Sequence, residues 1–115
     1  MAAAATGLVA VWRLPRVVVE GPSMRPGLQP GDRLVLVPRR RYRPGAVVAA
    51  ADPRLHTRLL VKRVVAVGRD GRLDLRGDDG GASTDSRTFG PVDRRLVRGQ
   101  AVWRYAPRGR TGSVR

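Results

Sequence analysis

Leu59-Leu60-Val61-Lys62-Arg63-Val64-Val65-Ala66-Val67 is the longest apolar run in the chain, and its reading decides the fold. Four of its nine residues are valine, whose branched Cβ suits an extended backbone better than a helix. The run ends at Gly68-Arg69-Asp70-Gly71-Arg72, where Asp70-Gly71 marks a hairpin turn, and Leu73 to Leu75 begins a return strand with period-two alternation. Working outward, Val17 to Glu20, Leu34 to Val37, Ala46 to Ala51 and Leu96 to Tyr105 read as further short strands. The stretches between them carry turn chemistry. Residues 20–32 hold three glycines and three prolines, residues 39–43 form a basic loop, residues 52–58 a charged turn, and residues 77–91 a loop without periodicity. The expected fold is a mainly β single domain, a curved sheet or partly closed barrel of six or so strands. Residues 1–16 are expected as an apolar tail or short helix, residues 17–106 as the folded domain and residues 107–115 as a polar tail.

Composition narrows the function classes. There is no cysteine and only one histidine among 115 residues, which excludes disulfides and disfavours a structural zinc site, so no metal or cofactor is expected. A net charge of +14 attracts polyanions in general. The arginines are scattered, apart from Arg39-Arg40-Arg41 with Arg43, and are not interleaved with aromatics as a single-strand binder requires. No specific nucleic-acid site is therefore expected. Residues 2–12 are apolar, but eleven helical residues reach only about 17 Å, short of the ~30 Å of a bilayer core. A cytoplasmic or peripherally membrane-associated protein is expected, with Trp12 and the arginines after it suited to an anionic headgroup layer.

Ser23 lies on the stiff bend between the first two strands, where a hydroxyl can be presented to a ligand. Lys62 is the one lysine beside 22 arginines. An amine loses its proton when desolvated, whereas a guanidinium stays charged, so an arginine-rich chain that keeps a single lysine in an apolar strand points to base chemistry. A serine hydroxyl needs such a base to become a nucleophile. Residues 60, 62, 64 and 66 share one face of the strand, and both faces are mostly apolar, so the pattern alone leaves open which is buried. An ordinary strand lysine reaching solvent by its stem is the competing reading. His56, in the charged turn, reads as a solvated histidine rather than a triad member.

Ser23-Met24-Arg25-Pro26 resembles the S-M-x-P box of the type I signal peptidases (leader peptidases). Gly31-Asp32-Arg33-Leu34, Lys62-Arg63-Val64-Val65 and Gly77-Asp78-Asp79 with Ser83-Thr84-Asp85-Ser86-Arg87 resemble that family's later boxes, in its order. The resemblance implies a mainly β, signal-peptidase-like catalytic domain over residues 17–106, a Ser-Lys serine endopeptidase that removes an N-terminal leader from a precursor protein by cleaving after small residues. It implies Ser23 as nucleophile, Lys62 as general base, and Ser83 orienting the lysine amine. Asp85 and Arg87 would pair to hold the last loop, with Asp78 supporting. Gly21, Ser23, Met24 and Pro26 would form the nucleophile loop, the Ser23 N–H serving the oxyanion hole. Gly21 stands where some members place a second oxyanion hydroxyl, Gly27 where threonine is usual, and Asp79 where asparagine is usual. In its brevity the chain is similar to the nickel-type superoxide dismutase maturation proteases. Two alternatives differ in what they foresee. A LexA-type self-cleaving Ser-Lys peptidase would cut its own chain, and a basic β-barrel binding nucleic acid would be indifferent to Ser23.

Overall fold

The computed structural model describes residues 13–115. The apolar tail expected at the N-terminus lies, up to Trp12, outside the described residues. Seven strands form one antiparallel sheet: β1 (Arg16–Val18), β2 (Arg33–Val37), β3 (Val47–Asp52), β4 (Leu55–Val67), β5 (Leu73–Arg76), β6 (Val97–Ala106) and β7 (Gly112–Ser113). The spatial order is β1-β2-β6-β3-β4-β5, with β7 beside the far half of β6. Register shifts in the β2–β6, β3–β4, β3–β6 and β4–β5 pairs bend the sheet without closing it into a barrel. Among the described residues no helix is long and apolar enough to cross a membrane.

The sheet buries apolar side chains on both faces, and β3 shows why it is built from small residues. All six of its residues are buried. Val47 and Ala49 join Val17, Met24, Leu34, Leu36 and Val61 in one core cluster. Val48 and Ala50 join Val64, Leu73, Leu75 and Val92 in the other. A strand clamped between two cores has room for alanine where a larger side chain would overpack.

Three local expectations are corrected. The 52–58 segment is no charged turn, because β4 begins at Leu55 and only Pro53 and Arg54 turn the chain. Asp52 holds that turn, its buried carboxylate accepting from the Arg54 N–H at 2.8 Å and from its guanidinium at 2.9 and 3.1 Å. Residues 55–59 are exposed on every side, so no alternation marks them as strand, and His56 is solvated on β4 rather than in a loop. Within the 77–91 loop, residues Ser86–Phe89 form a helical turn, α1, whose N-cap Asp85 accepts from the Arg87 N–H. Residues 107–115, expected as a polar tail, return along β6: Gly112 and Ser113 pair with Arg104 and Trp103, and Val114 packs on the first core cluster.

Candidate active site

The bend from Glu20 to Asp32 is closed at its base and held from behind. Val19 N–H donates to the Asp32 carbonyl and Gly31 N–H to the Val19 carbonyl, both at 2.8 Å. Met24, 1% exposed, and Leu28 anchor the bend in the core. The buried Asp32 carboxylate accepts from Gln29 N–H at 2.9 Å, Arg110 at 3.0 Å and Arg104 at 3.1 Å, and Arg104 also donates to the Gly27 carbonyl at 2.9 Å. Burial alone would raise the Asp32 pKa, but these donors, Arg110 foremost, hold it below its ordinary value. Pro26 follows a cis peptide bond and lies exposed at the bend's surface. Gly21 adopts φ +73°, a conformation that suits glycine and strains a side-chain-bearing residue.

Ser23 and Lys62 line the same cleft, of about 180 Å³, together with Val18, Arg58 and Thr84. Among the described residues no side chain hydrogen-bonds the Ser23 hydroxyl, and no fully buried side-chain oxygen or nitrogen lacks a partner, so this hydroxyl opens on the cleft. Lys62 is 5% exposed, on the face of β4 that carries Leu60 and Val64. Burial pushes its amine below the ordinary lysine value, Asp85 pulls the other way, and Arg58 and Arg87 push it down again.

A hydrogen-bond relay runs from the amine. Lys62 Nζ donates to Ser83 Oγ at 3.1 Å, and Ser83 Oγ donates to Asp85 Oδ2 at 2.6 Å. The Ser83 proton is committed to the carboxylate, so Ser83 can only accept from the lysine. A neutral amine held in this way spends an N–H on Ser83 and keeps its lone pair for another group. Asp85 is fully buried and accepts further from Gly77 N–H at 2.9 Å, Arg87 N–H at 3.1 Å, and the Arg87 guanidinium at 2.7 and 3.0 Å. The Arg87 side chain, above all, keeps its carboxyl ionised far below the usual range.

The structure thus brings Ser23, Lys62, Ser83, Asp85 and Arg87 to one place. Asp78 faces elsewhere, pairing with the Arg63 guanidinium by two bonds of 2.8 Å on the opposite side of β4. Gly77 was present in the sequence motif, but its role becomes visible only in three dimensions. A Cβ there would lie 2.6 Å from Ser83 Cβ and 2.7 Å from the Ser23 carbonyl oxygen. The next loop residue but one, Asp79, donates its N–H to that same carbonyl at 2.8 Å. The segment 77–83 therefore docks directly on the bend that carries Ser23. Arg58 and Thr84 also escaped the sequence reading, the first hidden in a supposed turn and the second flanked by more telling neighbours. No group of acidic, histidine or cysteine side chains suited to a metal occurs among the described residues.

Comparison with known proteins bears on the family of the chain. A sequence model of the family described as "Signal peptidase, peptidase S26" matches residues 1–71. The mitochondrial ATP-independent inner membrane protease subunit 1b of Arabidopsis thaliana is 32% identical over 113 residues, 76% of this chain and 67% of the relative. Mitochondrial inner membrane protease subunit 2 of Danio rerio is 33% identical over 74% of this chain and 62% of its own length. The Mus musculus subunit 2 is 32% identical over 82% and 70%. These names bear on the signal peptidase family as a whole and not on its superoxide dismutase maturation branch.

Proposed function

Because the chain belongs to the signal peptidase family, peptidase S26, we propose that it is a serine endopeptidase that removes N-terminal leaders from precursor proteins with Ser23 as nucleophile and Lys62 as general base. The observation that carries this reading is the relay Lys62–Ser83–Asp85 in a cleft shared with an otherwise unengaged serine hydroxyl.

In the first step Ser23 Oγ attacks the scissile carbonyl carbon while its proton passes to the neutral Lys62 amine. The oxyanion is met by the Ser23 N–H, a donor already fixed by the bend. The tetrahedral intermediate collapses, the C–N bond breaks, and the Lys62 ammonium returns its proton to the leaving amine. Water, deprotonated by the same amine, then hydrolyses the ester. Ser83 keeps the amine aimed through both half-reactions, and Arg87 keeps Asp85 ionised so that Ser83 stays aligned.

Substrate fits as an extended chain. β5 pairs only with Arg63 to Val67 of β4, so Leu55 to Lys62 present an edge free of any described strand on the side away from β3. A peptide adding to that edge would pass Ser23, and a cleft this small favours small side chains before the cut bond. The names of the relatives support precursors presented at an inner membrane. The test is to incubate candidate precursors with the protein and with Ser23→Ala, then sequence their N-termini. One new N-terminus after a small residue, formed only with active protein, is the expected result. Cleavage of the protein itself, with precursors untouched, would favour a self-cleaving peptidase instead.

A further inference from the structure

At the other end of β4 the sheet carries a second concavity, of about 1130 Å³. Arg41 and Arg43 reach it from the loop before β3, Arg69 and Arg72 from the β4–β5 turn, and Arg94 and Arg95 from the turn before β6. Arginines scattered through the sequence thus converge from three segments. Against them stand two carboxylates, Asp70 and Asp93, leaving four positive charges in excess. Asp93 pairs with Arg95 at 3.2 Å, and Asp70, whose carboxylate accepts from the Arg72 N–H at 3.0 Å, approaches the Arg72 guanidinium only to 3.8 Å. Arg41, Arg43 and Arg69 have no acidic partner among the described residues. A chain of this net charge lowers its self-repulsion by dispersing cations, so gathering them in a groove is unfavourable until an anion arrives.

We propose that this groove is a second binding site, distinct from the catalytic cleft, for an extended acidic stretch of polypeptide. Guanidinium forks match carboxylates bidentately, and several of them along a groove read a row of acids. The groove is concave, which suits a chain rather than a flat bilayer. Among the described residues its one aromatic, Tyr42, is 7% exposed, so none of them offers a free ring face to stack a nucleobase. Tyr42 instead braces the loop, its hydroxyl accepting from the Arg39 N–H at 3.0 Å. Val67, 43% exposed, sets an apolar contact among the cations, which favours a peptide mixing acidic and aliphatic residues. The site lies five residues along β4 from Lys62, about 17 Å. A protein bound here by its acidic segment has its remaining chain at high effective concentration near the cleft.

The site is read without cleavage, so it stands or falls separately from the peptidase reading. Fluorescence anisotropy would measure a short labelled peptide of Glu, Asp and Val against the whole chain, against R41Q/R43Q/R69Q, and against R13Q/R33Q/R108Q. The last removes the same charge from exposed positions outside the groove. Circular dichroism confirms that each variant is folded. The groove variant should bind at least about tenfold more weakly, and the charge-matched control should stay within about threefold of the parent. Equal weakening in both variants would reduce the effect to net charge and overturn the proposal. Tighter binding of a single-stranded oligonucleotide than of the peptide, lost in the groove variant, would overturn it in favour of nucleic acid.

Discussion

Lys62 feels burial and the two arginines Arg58 and Arg87 on one side and Asp85 on the other, and the balance lowers its pKa from the ordinary lysine value. A base of lowered pKa is active above that pKa, so kcat/KM for peptide cleavage should rise with pH through a limb below the ordinary 10.5 of lysine. Arg58→Gln removes a cation that disfavours the ammonium. The limb should then move to higher pH, and an unmoved profile would show that Arg58 does not act on the lysine. Ser83→Ala should lower kcat about tenfold to a hundredfold, the worth of one buried hydrogen bond that aims the base, with KM little changed. At Gly21, adding a hydroxyl should not help. Gly21→Ser places a side chain at φ +73°, and a loss of about 1 kcal/mol in denaturant unfolding is the expected outcome.

At the scale of elements, the site depends on contacts between segments far apart in sequence. Gly77→Ala would push the 77–83 segment off the bend that carries Ser23, since the new Cβ meets the Ser23 carbonyl oxygen at 2.7 Å. It should cost about 1–3 kcal/mol and most of the cleavage rate, read by urea unfolding and peptide hydrolysis. The strands were legible because alternation and valine-rich runs are local, and the six longer strands lie within a few residues of where pattern puts them. What escaped was decided elsewhere. Residues 55–58 look like a turn because solvent lies on both sides of them, and they are strand only because Asp52 and β3 hold them. The 107–115 segment looks polar because its one core contact is Val114, yet Arg110 reaches Asp32 and Arg115 offers its carbonyl to Arg63 at 2.9 Å. Ser23, Lys62, Ser83, Asp85 and Arg87 could be picked out by motif. That Asp78 turns to Arg63, and that Gly77 is a joint, could not, because both facts rest on contacts between segments that meet only in the folded chain.

For the whole molecule, acid stability should be set by three buried carboxylates. Asp32, Asp52 and Asp85 all have lowered pKa values, held by arginine partners. A depressed carboxylate contributes stability above its unfolded value near 3.8 and loses it as pH falls below that value toward the folded pKa. The unfolding free energy should therefore hold near neutrality and fall steeply below about pH 4, followed by circular dichroism against urea. Lys62 gives a slope of the same sign at the alkaline end, where its unfavourable burial as a cation is relieved, and stability regained, as pH rises toward 10.5. The sheet thus places a costly amine and an acid-sensitive relay side by side, and the cost makes sense if the amine is the base.

That claim is tested most directly by the cleavage rate of Lys62→Arg, measured on a peptide the parent protein cuts, with the fold verified by circular dichroism. A guanidinium cannot give up its proton in this cleft, so the account predicts a fall of about 10⁴-fold or more, matching Ser23→Ala. Cleavage by Lys62→Arg at or near the parent rate would contradict it.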